Sequence, residues 1–205
     1  MKLIIFISML CCSSFWLAAQ DYSILTLNRD LVPGADAIVR NELKEITILS
    51  PGEAIIKHTH AITILNDKGD DYAGYYDYYN QFFTIEDIEG RLFDMTGKEL
   101  KKVRKKDITD LSSESGNSVS DTRYKTHNFH HKEYPYTVEY TSVINVKGLF
   151  YLPGWIPQFN NTLAVEKSRM LVKTPGSYKL RYKAYNFKGI EKITPHGAYT
   201  EYNWE

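Results

Sequence analysis

The chain has 205 residues, with 25 Lys and Arg residues against 25 Asp and Glu residues. This length suits one domain with a short extension, large enough to fold without disulfides or a metal ion. The balanced charge lacks the basic excess that is typical of nucleic-acid-binding proteins, so we expect no nucleic-acid partner. The 16 tyrosines favour pleated, half-buried strands.

The first 20 residues have the pattern of a secretory signal peptide. Lys2 is followed by an apolar segment over residues 3–10, and Ala18 and Ala19 are small residues suited to cleavage. This apolar segment is short for a membrane span, and no run of bilayer length follows it. We therefore expect an exported protein of the periplasm or cell surface, with no membrane span in the mature chain.

Both cysteines, Cys11 and Cys12, lie inside this leader. Cleavage would leave no thiol, so we expect no disulfide, no thiolate nucleophile and no Cys-ligated metal. Leu10 stands where a lipoprotein signal requires a small residue, which argues against lipidation.

Apolar and polar residues alternate along most of the remaining chain, as is typical of strands with one buried face. The clearest case is residues 136–146, where Tyr136 and Val138 share one face and Thr137 and Glu139 the other. Turn signals rich in Gly, Pro, Asn and Asp separate these runs at hairpin spacing. The predicted strands are residues 38–49, 54–65, 75–83, 85–94, 123–129, 136–146, 168–173, 178–184 and 199–204.

These strands predict an all-β fold, an antiparallel β-sandwich over residues 35–205, preceded by a lead-in of residues 21–34. In the first strand the apolar residues change parity between Leu43 and Ile46. An extra residue in one strand reverses the parity of all that follow, so we expect a β-bulge near Lys44.

Three charged or polar segments are interpreted as solvent-exposed, and two of them could instead bind an ion or ligand. Residues 107–121 are Ser-rich and predict a polar loop. The basic run of residues 101–106 is interpreted as a solvated strand end, with an anionic ligand as the alternative. Asp67, Asp70 and Asp71 crowd one turn, which is a solvated hairpin tip or a calcium site that lacks the regular loop spacing.

Two groups of histidines are candidate metal ligands. His58 and His60 lie two apart on a strand and therefore share one face, where they either bind a metal or form a largely buried, hydrogen-bonded, neutral pair. His127, His130 and His131 form a second group, but neighbours on a strand point to opposite faces, so only part of it could converge. A metal-dependent hydrolase using these histidines is one alternative function.

Exposed aromatic residues are the candidate ligand or partner surface. Tyr76, Tyr78 and Phe82 share one face of an aromatic-rich strand, which is core, a protein interface or a platform for sugar rings. Trp155 lies in an apolar connection and is interpreted as a plug at the sandwich end, or as a docking residue if it is exposed.

The common catalytic motifs are missing from the sequence. It contains no GxSxG, GxGxxG, Walker, HExxH or CxxC pattern. We therefore assign no catalytic residue, no metal ligand and no cofactor, and the sequence favours a non-catalytic module over an enzyme.

A set of motifs resembles one family, the bacterial domain of unknown function 3857, which is found N-terminal to transglutaminase-like domains. The resemblance covers residues 35–204 and implies an extracytoplasmic β-sandwich from a Bacteroidetes-type bacterium. It rests on ITILNDKGD at residues 62–70, IEG at 88–90, MTGK at 95–98, YPYTVEY at 134–140 and WIPQ at 155–158.

The resemblance implies a transglutaminase-like or protease-like partner, in the same chain or a separate one, against which this domain packs. Family members continue into a domain with catalytic Cys, His and Asp residues, so we expect Glu205 to be a truncation and carry no catalytic residue over. A cell-envelope protein or glycan is a further candidate partner. The alternative function is a carbohydrate-binding module that uses the exposed aromatic residues.

The leader pattern gives a first testable prediction. N-terminal sequencing of the secreted or periplasmic form should begin at Gln20 or Asp21, because the small residues at 18 and 19 suit signal peptidase. A mature protein that retains Cys11 would contradict it.

Overall fold

The structure is a computed structural model that describes residues 21–112, 121–149, 152–176 and 178–205. The predicted signal peptide and residues 113–120 of the predicted polar loop lie outside the described residues. The strands are β1 (Ala37–Ser50), β2 (Glu53–Ile64), β3 (Tyr75–Tyr79), β4 (Phe83–Phe93), β5 (Glu99–Arg104), β6 (Thr109–Ser112), β7 (Arg123–His127), β8 (Tyr136–Lys147), β9 (Leu163–Val165), β10 (Ser168–Pro175), β11 (Glu191–Pro195) and β12 (Tyr199–Trp204). Short 3-10 helices cover Ile24–Thr26, Arg29–Leu31, Asp67–Ala73 and Lys105–Asp107.

The predicted all-β class is confirmed, with 52% of the described residues in strands and 9% in helices. The large sheet has the order β11-β12-β10-β1-β2-β8-β4-β5, with β9 also paired to β1, and the small sheet has the order β3-β7-β6. The large sheet is mixed rather than wholly antiparallel, because β1 pairs in parallel with both β9 and β10. Alternation along one strand carries no information about the direction of its neighbour.

The predicted change of parity in β1 is real, but the bulge lies at Arg40 rather than near Lys44. The register against β2 shifts between Val39 and Asn41, so Arg40 is the extra residue. Its guanidinium is buried and forms an ion pair with Glu166, with 2.7 Å between Nε and Oε2. This contact with a residue 126 positions away fixes the bulge where no local pattern marks it.

The core lies on one face of the large sheet, and β8 contributes most to it. Tyr136, Val138, Tyr140 and Val146 are at most 1% exposed, as the alternation predicted. The strand is hydrogen-bonded on both sides, to β2 and to β4. A strand that is paired on both edges and buried on one face holds its neighbours in a single register.

The small sheet covers part of this face. The ring of Tyr75 in β3 lies 5.4 Å from that of Tyr140, and Ser142 donates a hydrogen bond of 3.2 Å to Asp77. The single strand expected over residues 75–83 is interrupted by a turn at Asn80. The side-chain oxygen of Asn80 accepts hydrogen bonds from the backbone amides of Phe82 and Phe83. The chain therefore leaves the small sheet after β3 and enters the large sheet at β4.

One other strand prediction is wrong. Residues 178–184 form no ladder with any described residue, although they were expected to be a strand. Tyr178 and Leu180 pack against the core, so their alternation reflects one buried side rather than sheet pairing. Conversely, β5, β6, β9 and β11 are absent from the predicted strands, and β6 lies inside the expected polar loop.

The lead-in packs against the large sheet. Tyr22 is buried, with its ring 5.0 Å from that of Phe93, and its hydroxyl donates to Glu139. Thr26 accepts a hydrogen bond of 2.9 Å from Arg40. Within the described residues, no helix is both long and apolar enough to cross a membrane.

Gly90 in β4 gives a stability prediction. A Cβ there would lie 2.6 Å from the ring of Tyr140 and 2.8 Å from Val103, so Gly90→Ala should lower the free energy of unfolding by about 1–3 kcal/mol. Gly52→Ala is the control, because no described heavy atom lies within 4 Å of its added Cβ. Urea unfolding should separate the two variants, and equal stabilities would contradict the packing described here.

Candidate functional site

A row of polar side chains crosses the middle of the buried face of the large sheet. Strand register places these residues side by side, with apolar residues above and below them. Adjacent strands therefore bring together groups that are far apart in the sequence. The row consists of Ser168 from β10, Glu42 and Lys44 from β1, His58 and His60 from β2, and Ser142 from β8.

Glu42 is the acceptor at the centre of this polar row. It pairs with His58 across 2.9 Å and accepts a hydrogen bond from Ser168. Burial raises the pKa of Glu42, but the hydrogen bonds from His58 and Ser168 outweigh it and hold that pKa below its usual value. Trp155 donates to the Ser168 hydroxyl at 2.8 Å and packs on the core, which places it as a plug rather than an exposed docking residue.

His60 has a different environment from His58. Its Nδ1 atom is buried and has no hydrogen-bond partner among the described residues. Burial lowers the pKa of His60 to about 3, and the nearby charge of His58 adds to this effect. The two rings lie 5.0 Å apart. His60 is neutral at physiological pH, as the structural interpretation predicted, but its Nδ1 atom lacks the hydrogen bond that was expected.

The small sheet closes over this row with a carboxylate. Asp77 in β3 accepts hydrogen bonds from Tyr75 and Ser142, each at 3.2 Å. Burial raises the pKa of Asp77 above its usual value. Asp77 and Glu42 lie on different sheets and have separate partners, so the arrangement is a set of local hydrogen bonds.

The second histidine group does not converge. His127 shares a 2.8 Å hydrogen bond with the hydroxyl of Tyr140, and burial lowers its pKa. His130 is exposed, with φ at 52°, and the ring of His131 lies edge-on against Tyr136. Within the described residues there is no group of three or more His, Cys, Asp or Glu side chains that could hold a metal ion.

The segment with three aspartates is a 3-10 helix rather than a hairpin tip, and Asp67 and Asp71 are exposed as the solvated interpretation predicted, whereas Asp70 is not. Asp70 accepts hydrogen bonds from the hydroxyls of Tyr134 at 2.9 Å and Tyr136 at 3.1 Å, and it also pairs with Lys132. The carboxylate therefore attaches this turn to the start of β8. These partners are more than 60 residues away, which is why the local sequence suggested a solvated tip or a calcium loop.

The predicted aromatic surface is divided by the turn after β3. Tyr76 and Tyr78 project from the outer face of the small sheet, where they are 64% and 42% exposed. The ring of Tyr124 in β7 lies 5.0 Å from that of Tyr76 and extends this face. Phe82 is 43% exposed but lies in the connection between β3 and β4, beyond the end of the sheet.

A second exposed apolar surface was missed by the sequence analysis, and we call it the C-terminal surface. Tyr185 and Ile190 are 74% and 72% exposed, and Ile193 on the edge strand β11 is also exposed. Sequence reasoning missed it because the alternation of residues 178–184 suggested a strand inside a sheet. Basic residues accompany it, namely Lys179, Arg181, Lys183, Lys188 and Lys192.

A cavity of about 380 Å³ lies where the lead-in meets β1 and the end of β12. Arg40 lines it, but its guanidinium is already bound by Glu166 and Thr26. Lys167 pairs with Glu205 across 3.6 Å at the rim. Because both cations in the lining are already paired with carboxylates, the cavity is a weak candidate for an anionic ligand.

The environment of His60 predicts a pH dependence of stability. The unfolded chain binds a proton at the ordinary value of 6.5, whereas the folded chain does so only near pH 3. The free energy of unfolding should therefore fall by about 3–5 kcal/mol from this group as pH decreases from 6.5 to 3. His60→Gln should reduce the slope in that window, whereas the exposed His196→Gln should leave it unchanged. Equal slopes for His60→Gln and the parent would contradict the assignment.

Two solved structures show how the fold compares with known proteins. The chain is similar to a "putative protease" from Parabacteroides distasonis, with a TM-score of 0.69 and 15% identity, over 82% of this chain and 35% of that protein. An M1 zinc metallopeptidase from Deinococcus radiodurans matches with a TM-score of 0.37 and 9% identity, over 90% of this chain and 41% of its own. The chain thus spans about a third of the length of the first protein.

Sequence comparison assigns the family. No curated protein gives a significant match to the chain. The model of the family described as "Domain of Unknown Function with solved-structure structure (DUF3857)" matches residues 50–205, about three quarters of the chain. The resemblance that the motifs indicated is therefore confirmed at the level of the family, and the protein belongs to the DUF3857 family.

Proposed function

We propose that the protein is an exported, non-catalytic module that packs against a transglutaminase-like or protease-like domain, in the same chain or in a separate one. The likeness to the Parabacteroides protein supports this proposal, because the shared fold makes up 35% of that longer protein. The support is by analogy, since a fold alone does not determine function.

The observation that carries the proposal is the C-terminal surface. Tyr185, Ile190 and Ile193 expose apolar side chains within nine residues of sequence. Exposed apolar patches of this kind mark sites of protein association, and tyrosine is enriched among the residues that contribute most to binding. A partner domain would remove these side chains from water.

The charge of the C-terminal surface indicates the chemistry of the partner. Five basic residues accompany one acidic residue, Glu191, between positions 178 and 198. Lys183 Nζ lies 4.8 Å from the centroid of the Tyr185 ring, so positive charge and apolar area are adjacent. A complementary partner would present an apolar patch with carboxylates around it.

Glu42, His58 and Ser168 are the side chains of the polar row that most resemble a catalytic set, but their hydrogen bonds support a structural role. Glu42 is bound by both His58 and Ser168, and the Ser168 hydroxyl also accepts from Trp155. The Ser168 hydroxyl is buried and held between Glu42 and Trp155, so its oxygen is not open to an incoming substrate. These hydrogen bonds join β1, β2 and β10 instead.

Binding to a partner domain tests the proposal. The probe is the transglutaminase-like domain that we expect in the same reading frame or in an adjacent gene, produced separately and titrated with the chain by isothermal calorimetry. We expect a saturable complex, weakened at least about tenfold by the double substitution Tyr185→Ala with Ile190→Ala.

Leu25→Ala is the matched control, because Leu25 is equally exposed but lies on the lead-in. It should leave the affinity unchanged, and both variants should keep the parent melting temperature because the altered side chains are exposed. The absence of such a domain from the locus, the absence of a complex, or equal binding by the double variant would each contradict the proposal.

A further inference from the structure

The small sheet has an unusual distribution of charge. Every charged side chain of its three strands lies on the side that faces the large sheet: Asp77 in β3, Asp110 in β6, and Arg123 and Lys125 in β7. Register places them there, because Asp77 pairs with Lys125 and Lys125 with Asp110. A sheet with one wet face ordinarily carries its charges on that face.

These inward charges are paired with each other. Asp110 accepts from Lys125 at 3.2 Å and from Arg123 at 3.1 Å, and the hydroxyl of Tyr79 donates to it at 2.7 Å. Asp77 is bound by Tyr75 and Ser142, as described above. The charged residues of this sheet thus bond to partners on this side rather than on the outer face, although Arg123 and Asp110 remain 43% and 34% exposed at the sheet edge.

The outer face is consequently uncharged. Two rows of side chains cross the three strands, the first formed by Tyr78, Tyr124 and Leu111 and the second by Tyr76, Thr126 and Thr109. Within these strands, all of which are described, the outer face consists of three aromatic rings, two threonine hydroxyls and one leucine. We call this the neutral aromatic face.

We propose that the neutral aromatic face binds a neutral oligosaccharide. Aromatic rings provide apolar planes against which the C–H faces of a sugar ring can stack, and the hydroxyls of tyrosine and threonine can exchange hydrogen bonds with sugar hydroxyls. The absence of charge on this face disfavours polyanions such as nucleic acids and acidic glycans. It also distinguishes the face from the basic C-terminal surface.

The spacing of the rings suits a ligand longer than one sugar. The rings of Tyr76 and Tyr124 lie 5.0 Å apart and are tilted by 38°, so they pack against each other and form one stepped aromatic platform. Tyr78 is two residues further along β3, which places its Cα about 7 Å from that of Tyr76. Because the platform is open, affinity should come from the sum of several ring contacts.

This inference does not depend on the proposed partner domain. The neutral aromatic face belongs to the small sheet, whereas the C-terminal surface belongs to residues 178–193 and the edge of the large sheet. Variants of one surface should leave the function of the other intact, so the two proposals can fail separately.

The experiment uses the mature chain and four neutral probes, namely cellohexaose, xylohexaose, mannohexaose and chitohexaose, with oligogalacturonate as the acidic comparison. Binding is followed by calorimetry and by the change in tyrosine fluorescence. We expect saturable binding of at least one neutral probe and none of oligogalacturonate. Tyr76→Ala and Tyr124→Ala should each weaken that binding by about tenfold.

Two further variants identify the origin of the effect. Tyr76→Phe keeps the ring and removes the hydroxyl, so it should retain most of the affinity if stacking dominates. Tyr185→Ala, on the C-terminal surface, should change nothing. The exposed position of Tyr76 means that its variants should keep the parent melting temperature, which is measured for each.

Three results would overturn the inference. The first is no saturable binding of any of the four neutral probes at millimolar concentration. The second is binding that Tyr76→Ala and Tyr124→Ala leave unchanged. The third is a dimer, detected by sedimentation velocity, that Tyr76→Ala dissociates, because the face would then be an interface between two copies of the chain.

Discussion

The ion pair between Arg40 and Glu166 holds together the two halves of the large sheet. Arg40 is the bulged residue of β1, and Glu166 lies in the short break between β9 and β10, which both pair with β1. The bulge in β1 lies opposite the break between β9 and β10. Strand β1 therefore pairs with β9 up to Val39 and pairs again, with β10, from Glu42 onward. Because Arg40 is buried, removing Glu166 would leave an uncompensated buried charge, which typically costs about 3–5 kcal/mol.

The sequence was informative wherever structure follows from local alternation. The faces of β8, the shared face of Tyr76 and Tyr78, and the shared face of His58 and His60 all follow from a period of two. The parity change in β1 was also readable. Long-range contacts determined what was missed: the parallel pairing of β1, the hydrogen bonds to Asp70, and the irregular path of residues 178–184.

The buried polar row joins strands of the large sheet, whereas the two exposed surfaces are the proposed binding sites. The hydrogen bonds among Glu42, His58 and Ser168 join three strands across a region where an apolar core would specify register less strictly. The small sheet covers part of that row through Tyr75 and Asp77. The polar row thus lies within an otherwise apolar core, and the exposed apolar groups form two separate outer surfaces.

The edge strand β11 has a consequence for the chain in isolation. Its outer side has no neighbour among the described residues, so amide and carbonyl groups there are available to a strand from another molecule. Pro195 removes one donor from this strand, and Lys192 places a charge on it, both of which hinder indiscriminate strand addition. The edge is therefore selective: it resists stacking into fibrils while leaving a short stretch around Ile193 open to a matching strand.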